Sequence, residues 1–150
     1  MTIWLDDENI FAPIFNSKTE GCSTLKLVEK GDIPYLIAGN YSGAIFIYKI
    51  DLHEKEAQLV YSIDDLNDKV LNVQCPKDTI FISGLNGKVY TLSLSQALQT
   101  SDPPKVRPEK IFESISGMRC CYVDFTGINT EKSAWPPNFK GIIGYYGKVD

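Results

Sequence analysis

The stretch LIAGNYSGAIFIYKI, residues 36–50, recurs as IFISGLNGKVYTLSL at residues 80–94. Each copy begins with a short apolar run, reverses at a glycine-containing turn and continues as alternating apolar and polar residues. Gly43 and Gly87 occupy matching positions, ahead of Ala44-Ile45-Phe46-Ile47-Tyr48 and Lys88-Val89-Tyr90-Thr91-Leu92. A shortened third copy, GIIGYYGKV, stands at 141–149, with Gly147 in the equivalent place. Asn86-Gly87 is a strong hairpin signal, because both residue types tolerate left-handed backbone. The spacing predicts an all-β chain built from repeated hairpins.

Working outward, alternating runs bounded by turn residues predict strands near 22–29, 35–39, 44–50 and 58–64, then near 70–74, 79–84, 88–94 and 110–115. Pro34 falls at a strand edge, where its missing N–H does no harm. One helical turn competes at 94–99, and Pro103, Pro104 and Pro108 stop it in an exposed loop between repeats. Further strands are expected at 118–125 and 141–146, with only residues 148–150 of another. Residues 1–20, with Trp4, Leu5, Phe11 and Phe15, read as a strand or arm packed on the domain.

Hairpin repeats of this period are the mark of β-propeller blades. The expected blades are 21–66, 67–116 and a partial one at 117–150, about two and a half where a closed propeller has about four to eight. The expectation is therefore an incomplete propeller cut within a blade, with open strand edges available for self-association. A compact sandwich of about nine to eleven strands is the competing architecture.

Fifteen basic and nineteen acidic residues among 150 give a net charge of −4, with no long run of one sign. Sequence-independent binding to nucleic-acid phosphates has little electrostatic support in that balance. The first residues, MTIWLDDENIFAPIF, have no basic segment followed by an apolar core, and no window approaches a membrane span. The reading is an intracellular, cytoplasmic protein without membrane insertion. Cys22, Cys75, Cys120 and Cys121 read as buried free thiols. Adjacent Cys120 and Cys121 would take opposite strand faces and could not share a metal ion.

Catalytic patterns do not emerge. His53, the only histidine, lies in the charged turn 51–56. The carboxylate pairs Asp6-Asp7 and Asp64-Asp65 read as turn aspartates projecting into water. The loop 39–43 leads into a strand, whereas a phosphate cradle opens a helix. Asp124-Phe125-Thr126-Gly127 lacks the oxygen-rich series of a calcium loop. No enzyme, cofactor or metal site is expected.

Surface residues remain. In a propeller the turns at Tyr41, at Leu85 and Asn86, and at Tyr145 and Tyr146 share one face; Trp135, in a stiff Trp-Pro-Pro loop, is a further anchor. These six are the candidate partner-binding residues. The rival is a ligand-binding or enzymatic propeller using Lys26, Glu29, Asn72, Gln74, Arg119 and Asp124 on inner strands.

The repeated strand-turn-strand units resemble WD40-like β-propellers in pattern and period, over roughly residues 20–150. The Trp-Asp pair of that family is absent, its positions reading Tyr48-Lys49 and Leu92-Ser93, and so is the upstream Gly-His. The run from Gly21-Cys22 through Tyr35-Leu36-Ile37-Ala38-Gly39 and Phe46-Ile47-Tyr48 to Asp68-Lys69-Val70-Leu71-Asn72-Val73 is similar to N-terminal propellers of BBSome subunits, of the parathyroid-hormone-responsive B1 type. That resemblance implies a scaffold or cargo-adaptor subunit of a larger complex, working in ciliary membrane traffic. Its partners would be other protein subunits.

Overall fold

The computed structural model describes the backbone of residues 2–7, 10–16, 22–99, 103–113, 118–124 and 142–148, and the side chains of 22–99 and 103–113. Two four-stranded antiparallel sheets form its centre. The first is a meander of β3 (Thr24–Lys30), β4 (Ile33–Gly39), β5 (Ile45–Asp51) and β6 (Glu56–Ile63). The second repeats that order with β7 (Val70–Gln74), β8 (Thr79–Gly84), β9 (Lys88–Ser93) and β10 (Glu109–Glu113). Neither sheet closes into a barrel, since in each the first and last strands are not neighbours. Two hairpins flank this centre: β1 (Thr2–Asp7) with β2 (Ile10–Asn16), and β11 (Met118–Asp124) with β12 (Ile142–Lys148).

The 2-residue alternation of side chains decides which sheet meets which. On one face of the first sheet Tyr35, Ile37, Ile45, Ile47, Tyr61 and Ile63 are buried, and they share a core with Val70, Val73, Ile80, Ile82, Tyr90 and Leu92 of the second. On the other face Leu36, Tyr48 and Ile50 form a smaller cluster with Phe46 and Ala57. The second sheet is buried on both sides as well, with Phe81 and Val89 facing away from the shared core. There β11 lies against β7, β8 and β9.

Polar contacts lock the innermost strands together. Ser23 Oγ donates to Gly39 O (3.1 Å) and to Val70 O (2.5 Å), and Val73 N donates to Thr24 Oγ1 (3.2 Å). At the strand ends, Lys30 Nζ donates to Asp78 Oδ1 at 2.7 Å, tying the β3–β4 turn to the β7–β8 turn. Pro34 lies within β4, but pairing with β5 begins one residue later, at Tyr35 opposite Lys49, so its missing N–H breaks no rung.

Several expectations change. The strand predicted to reach Leu94 ends at Ser93, because a single helical turn, α1 (Leu94–Ala97), starts there. Ser93 caps it by accepting from Gln96 N at 3.3 Å, and Asp78 receives Ser93 Oγ (3.0 Å) and Ser95 N (3.1 Å). Residues 103–108, expected as an exposed loop, are half-buried at alternate positions. Val106 packs on the shared core and accepts a hydrogen bond from Tyr61 Oη at 2.9 Å, while Arg107 pairs with Asp65. The stretch is a strap across β6. Residues 2–16 form a hairpin of their own, β2 lying beside β6. Tyr145 and Tyr146, expected in a turn, sit inside β12 opposite Cys121 and Cys120. The unbroken register with β11 supplies ladder partners on both sides of Gly144, which extends the strand to Lys148.

Ile47 is fully buried at the centre of the shared core. Ile47→Ala is expected to cost about 2–5 kcal/mol through lost transfer energy and the cavity left behind. A lower urea midpoint at unchanged slope checks this, and Tyr61→Phe, which cuts the strap's hydrogen bond, should cost about 0.5–1.5 kcal/mol in the same assay.

Candidate functional site

Two reversals and the linker between them form the best-defined surface feature. Asn40-Tyr41-Ser42-Gly43 joins β4 to β5, and Gly84-Leu85-Asn86-Gly87 joins β8 to β9. The left-handed conformation falls at Gly43 (φ 88°) and Gly87 (φ 75°), where a side chain would be strained. Asn86 does not share it. The second reversal is therefore a turn closed by Gly87 N to Gly84 O (3.3 Å) with one left-handed glycine, not a two-residue turn with two left-handed positions.

The linker 64–69 stitches the two turns side by side. Leu66 N donates to Gly43 O (3.3 Å) and Val70 N to Asn40 O (3.0 Å), while Leu85 N reaches Lys69 O (2.9 Å). Asn67 takes a left-handed φ of 56°, which asparagine tolerates, and turns the chain so that Asp68 enters the second turn.

Each turn is capped by a side-chain oxygen, supplied in two different ways. In the first, Asn40 Oδ1 accepts from Ser42 N (3.1 Å), Ser42 Oγ (2.7 Å) and Ala44 N (2.9 Å). The residue matching Asn40 in the second turn is Gly84, which has no side chain to offer. Asp68 fills the role from outside, accepting from Asn86 N, the counterpart of Ser42 N, at 3.1 Å. The space is tight: a Cβ on Gly84 would lie 2.0 Å from Asp68 Oδ2. That oxygen is buried and has no hydrogen-bond partner among the described residues.

Burial pushes the Asp68 carboxyl above its ordinary value, against the opposing pull of the Asn86 N–H, the Lys88 charge and the Lys69 and Leu85 N–H groups. Asp78 goes the other way. Burial alone would raise it, but hydrogen bonds from Lys30, Ser95 and Ser93 outweigh burial and hold it low. Cys75 is buried, donates to Lys77 O at 3.3 Å, and burial pushes its thiol up to about 11, so it stays a thiol at neutral pH.

Of the candidate partner-binding residues, the structure brings Tyr41 and the Leu85-Asn86 pair to opposite ends of the 64–69 linker. Tyr41 is 61% exposed, Asn86 exposed and Leu85 half-buried. Tyr145 and Tyr146 belong to the β11–β12 hairpin, and Trp135 lies outside the described residues. His53 is an exposed turn residue, with its own N–H donating to Asp51 Oδ1 at 2.9 Å. Lys26, Asn72 and Gln74 lie on β3 and β7, with Asn72 buried, and Arg119 and Asp124 stand near the two ends of β11. Among the described residues no group of three His, Cys, Asp or Glu side chains is placed to hold a metal ion. No described helix is long and apolar enough to cross a membrane.

Asp68 escaped sequence reasoning, because an Asn-Asp pair in a linker looks like any turn. The signal was available in the repeat itself, where a capping Asn at position 40 is replaced by Gly at position 84. No protein-family model, curated protein or solved structure matches the chain.

A group whose pKa is raised by folding contributes stability below its unfolded pKa and loses it as pH rises through the folded one. Asp68 is such a group, whereas the contribution of Asp78 is present above its unfolded pKa and is lost as pH falls. Asp68→Asn should therefore gain on the wild type as pH rises through the Asp68 folded value, and Asp78→Asn should lose most at neutral pH; urea melts across pH 3–8 check both. Gly84→Asn alone should destabilise by about 1–3 kcal/mol through overpacking, and adding Asp68→Ala should restore much of that by moving the Asn40 style of cap into the second turn.

Proposed function

We propose that this chain is a non-enzymatic protein–protein interaction module, made of WD40-like propeller blades and belonging to an intracellular scaffold or adaptor complex. The observation that carries the reading is the serial repeat: two four-stranded meanders in the same strand order, carrying equivalent left-handed glycines at residues 43 and 87. A rigid stack of such units presents successive turns as one platform, so a partner meets ordered loops and little conformational entropy is lost on binding. Tyr41, Leu85 and Asn86 are the described contact residues of that platform. Tyr41 contributes a large, rigid, amphipathic side chain of the kind enriched where proteins meet.

The narrower reading, a ciliary-traffic coat subunit of the BBSome kind with other coat subunits as partners, rests on the similarity of the 21–73 segment. It supports looking for the partner among those subunits first, and for the protein at the cilium.

Tyr41→Ala combined with Leu85→Ser is expected to reduce association with the partner complex about tenfold or more while leaving the thermal midpoint within a few degrees. Co-purification from ciliated cells expressing wild type or variant, followed by reconstitution with purified BBSome subunits, provides the measurement. Equal recovery of partners by both forms removes these turns from the interface, and no binding to the purified subunits removes the ciliary reading alone.

A further inference from the structure

The outward face of the first sheet carries an unfilled position in the stack. A shift of forty-four residues maps Leu36, Phe46, Tyr48 and Ile50 onto Ile80, Tyr90, Leu92 and Leu94. The first group lies on the outward face of sheet one. The second is the set that sheet two buries against sheet one. The repeat is thus head to tail: the surface by which sheet two seats itself on sheet one is present again on sheet one, pointing away.

The inner strands make the same comparison with exposures. Leu25 pairs with Ala38, and Val73 pairs with Ile82, the counterpart of Ala38. Leu25 and Val73 are therefore equivalent, and so are Leu27 and Cys75 two residues further along. Val73 and Cys75 are 1% and 8% exposed, whereas Leu25 and Leu27 are 50% and 61% exposed. The same position is core in one unit and bare in the other.

We infer that this face is covered by the β11–β12 hairpin of a second copy of the chain, an inference that rests on the stacked-blade reading above. In the stack, β11 occupies the inner position, lying against β7 and β8, as β7 lies against β3 and β4. A second copy's β11 would fall over β3, on Leu25 and Leu27. The β1–β2 hairpin already lies beside the outer strand β6. Two strands from each copy then complete one four-stranded sheet, with β12 of one chain edge to edge with β1 of the other. A contact of this kind is heterologous and forms a ring when its rotation closes. Two copies provide four whole sheets and two composite ones, a number within the range of about four to eight that closes a propeller.

Sedimentation velocity over a wide concentration range tests this, with hydrogen exchange on the same samples. The wild type should form a dimer, and amides of β1 and β12 should exchange more slowly as concentration rises. Leu25→Glu/Leu27→Glu should weaken dimerisation by about tenfold or more, with unchanged circular dichroism and melting, and the milder Leu27→Ser should act in the same direction. Tyr41→Ala should leave the dimer intact. A wild type that stays monomeric throughout overturns the inference and assigns the face to a different protein's sheet. A dimer indifferent to both leucine variants overturns it too. In either case persistent protection of β4, β5, β8 and β9 keeps the stacked-unit reading, and its loss would undermine that reading instead.

Discussion

A β-sheet with apolar side chains on both faces cannot stop at itself. In this protein each central sheet is of that kind, and covering one face with a neighbour leaves the neighbour's far face to be covered in turn. Everything else follows from that demand: short antiparallel connections keep each sheet a meander, the sheets follow one another in chain order, and the layers register through one large shared core. Burying a single Ile or Leu side chain in that core is worth roughly 1.5–3 kcal/mol, more than a typical net hydrogen bond. The polar contacts between β3 and β7 therefore select the alignment of sheets that apolar burial has already driven together.

The linker after the first sheet must turn the chain into the next layer while the turns of both sheets stay ordered. Its backbone amides and carbonyls serve both turns, and its one buried carboxylate replaces a cap that the second turn cannot make. Fitting a charged group into that space is unfavourable in itself. It is tolerated because the alternative, an uncapped turn with an unsatisfied Asn86 N–H beside the core, also carries a penalty. The ion pair of Lys30 and Asp78 does the corresponding work at the other strand ends, in a half-exposed setting where solvent screens it.

The hairpins around Gly43 and Gly87 were legible in the sequence because alternation and a left-handed glycine are local signals, and eight central strands lie within a few residues of their expected places. What the sequence hid depends on contacts between distant residues. Asp68 is buried only because Gly84 makes room. The helical turn at Leu94 forms because Asp78, on another connection, holds its cap. Val106 is held in its strap by Tyr61. The exposed Leu25 and Leu27 were misleading for the opposite reason, since alternation in Thr-Leu-Lys-Leu marks apolar residues as inward without saying what they face. Of the candidate contact residues, Tyr41, Leu85 and Asn86 were accessible from turn chemistry, whereas Tyr145 and Tyr146 were drawn into a strand by pairing that no local pattern announces.

The two ways of capping a turn also set an order of assembly. The turn at Asn40 carries its own cap, within four residues, and can close as soon as its hairpin leaves the ribosome. The turn at Gly84 borrows its cap from a residue sixteen positions earlier, and that residue is placed only after the linker has bonded back to the first turn. The first unit is thereby a template and the second a dependant. A chain translated from its N-terminus presents them in the order that this dependence requires.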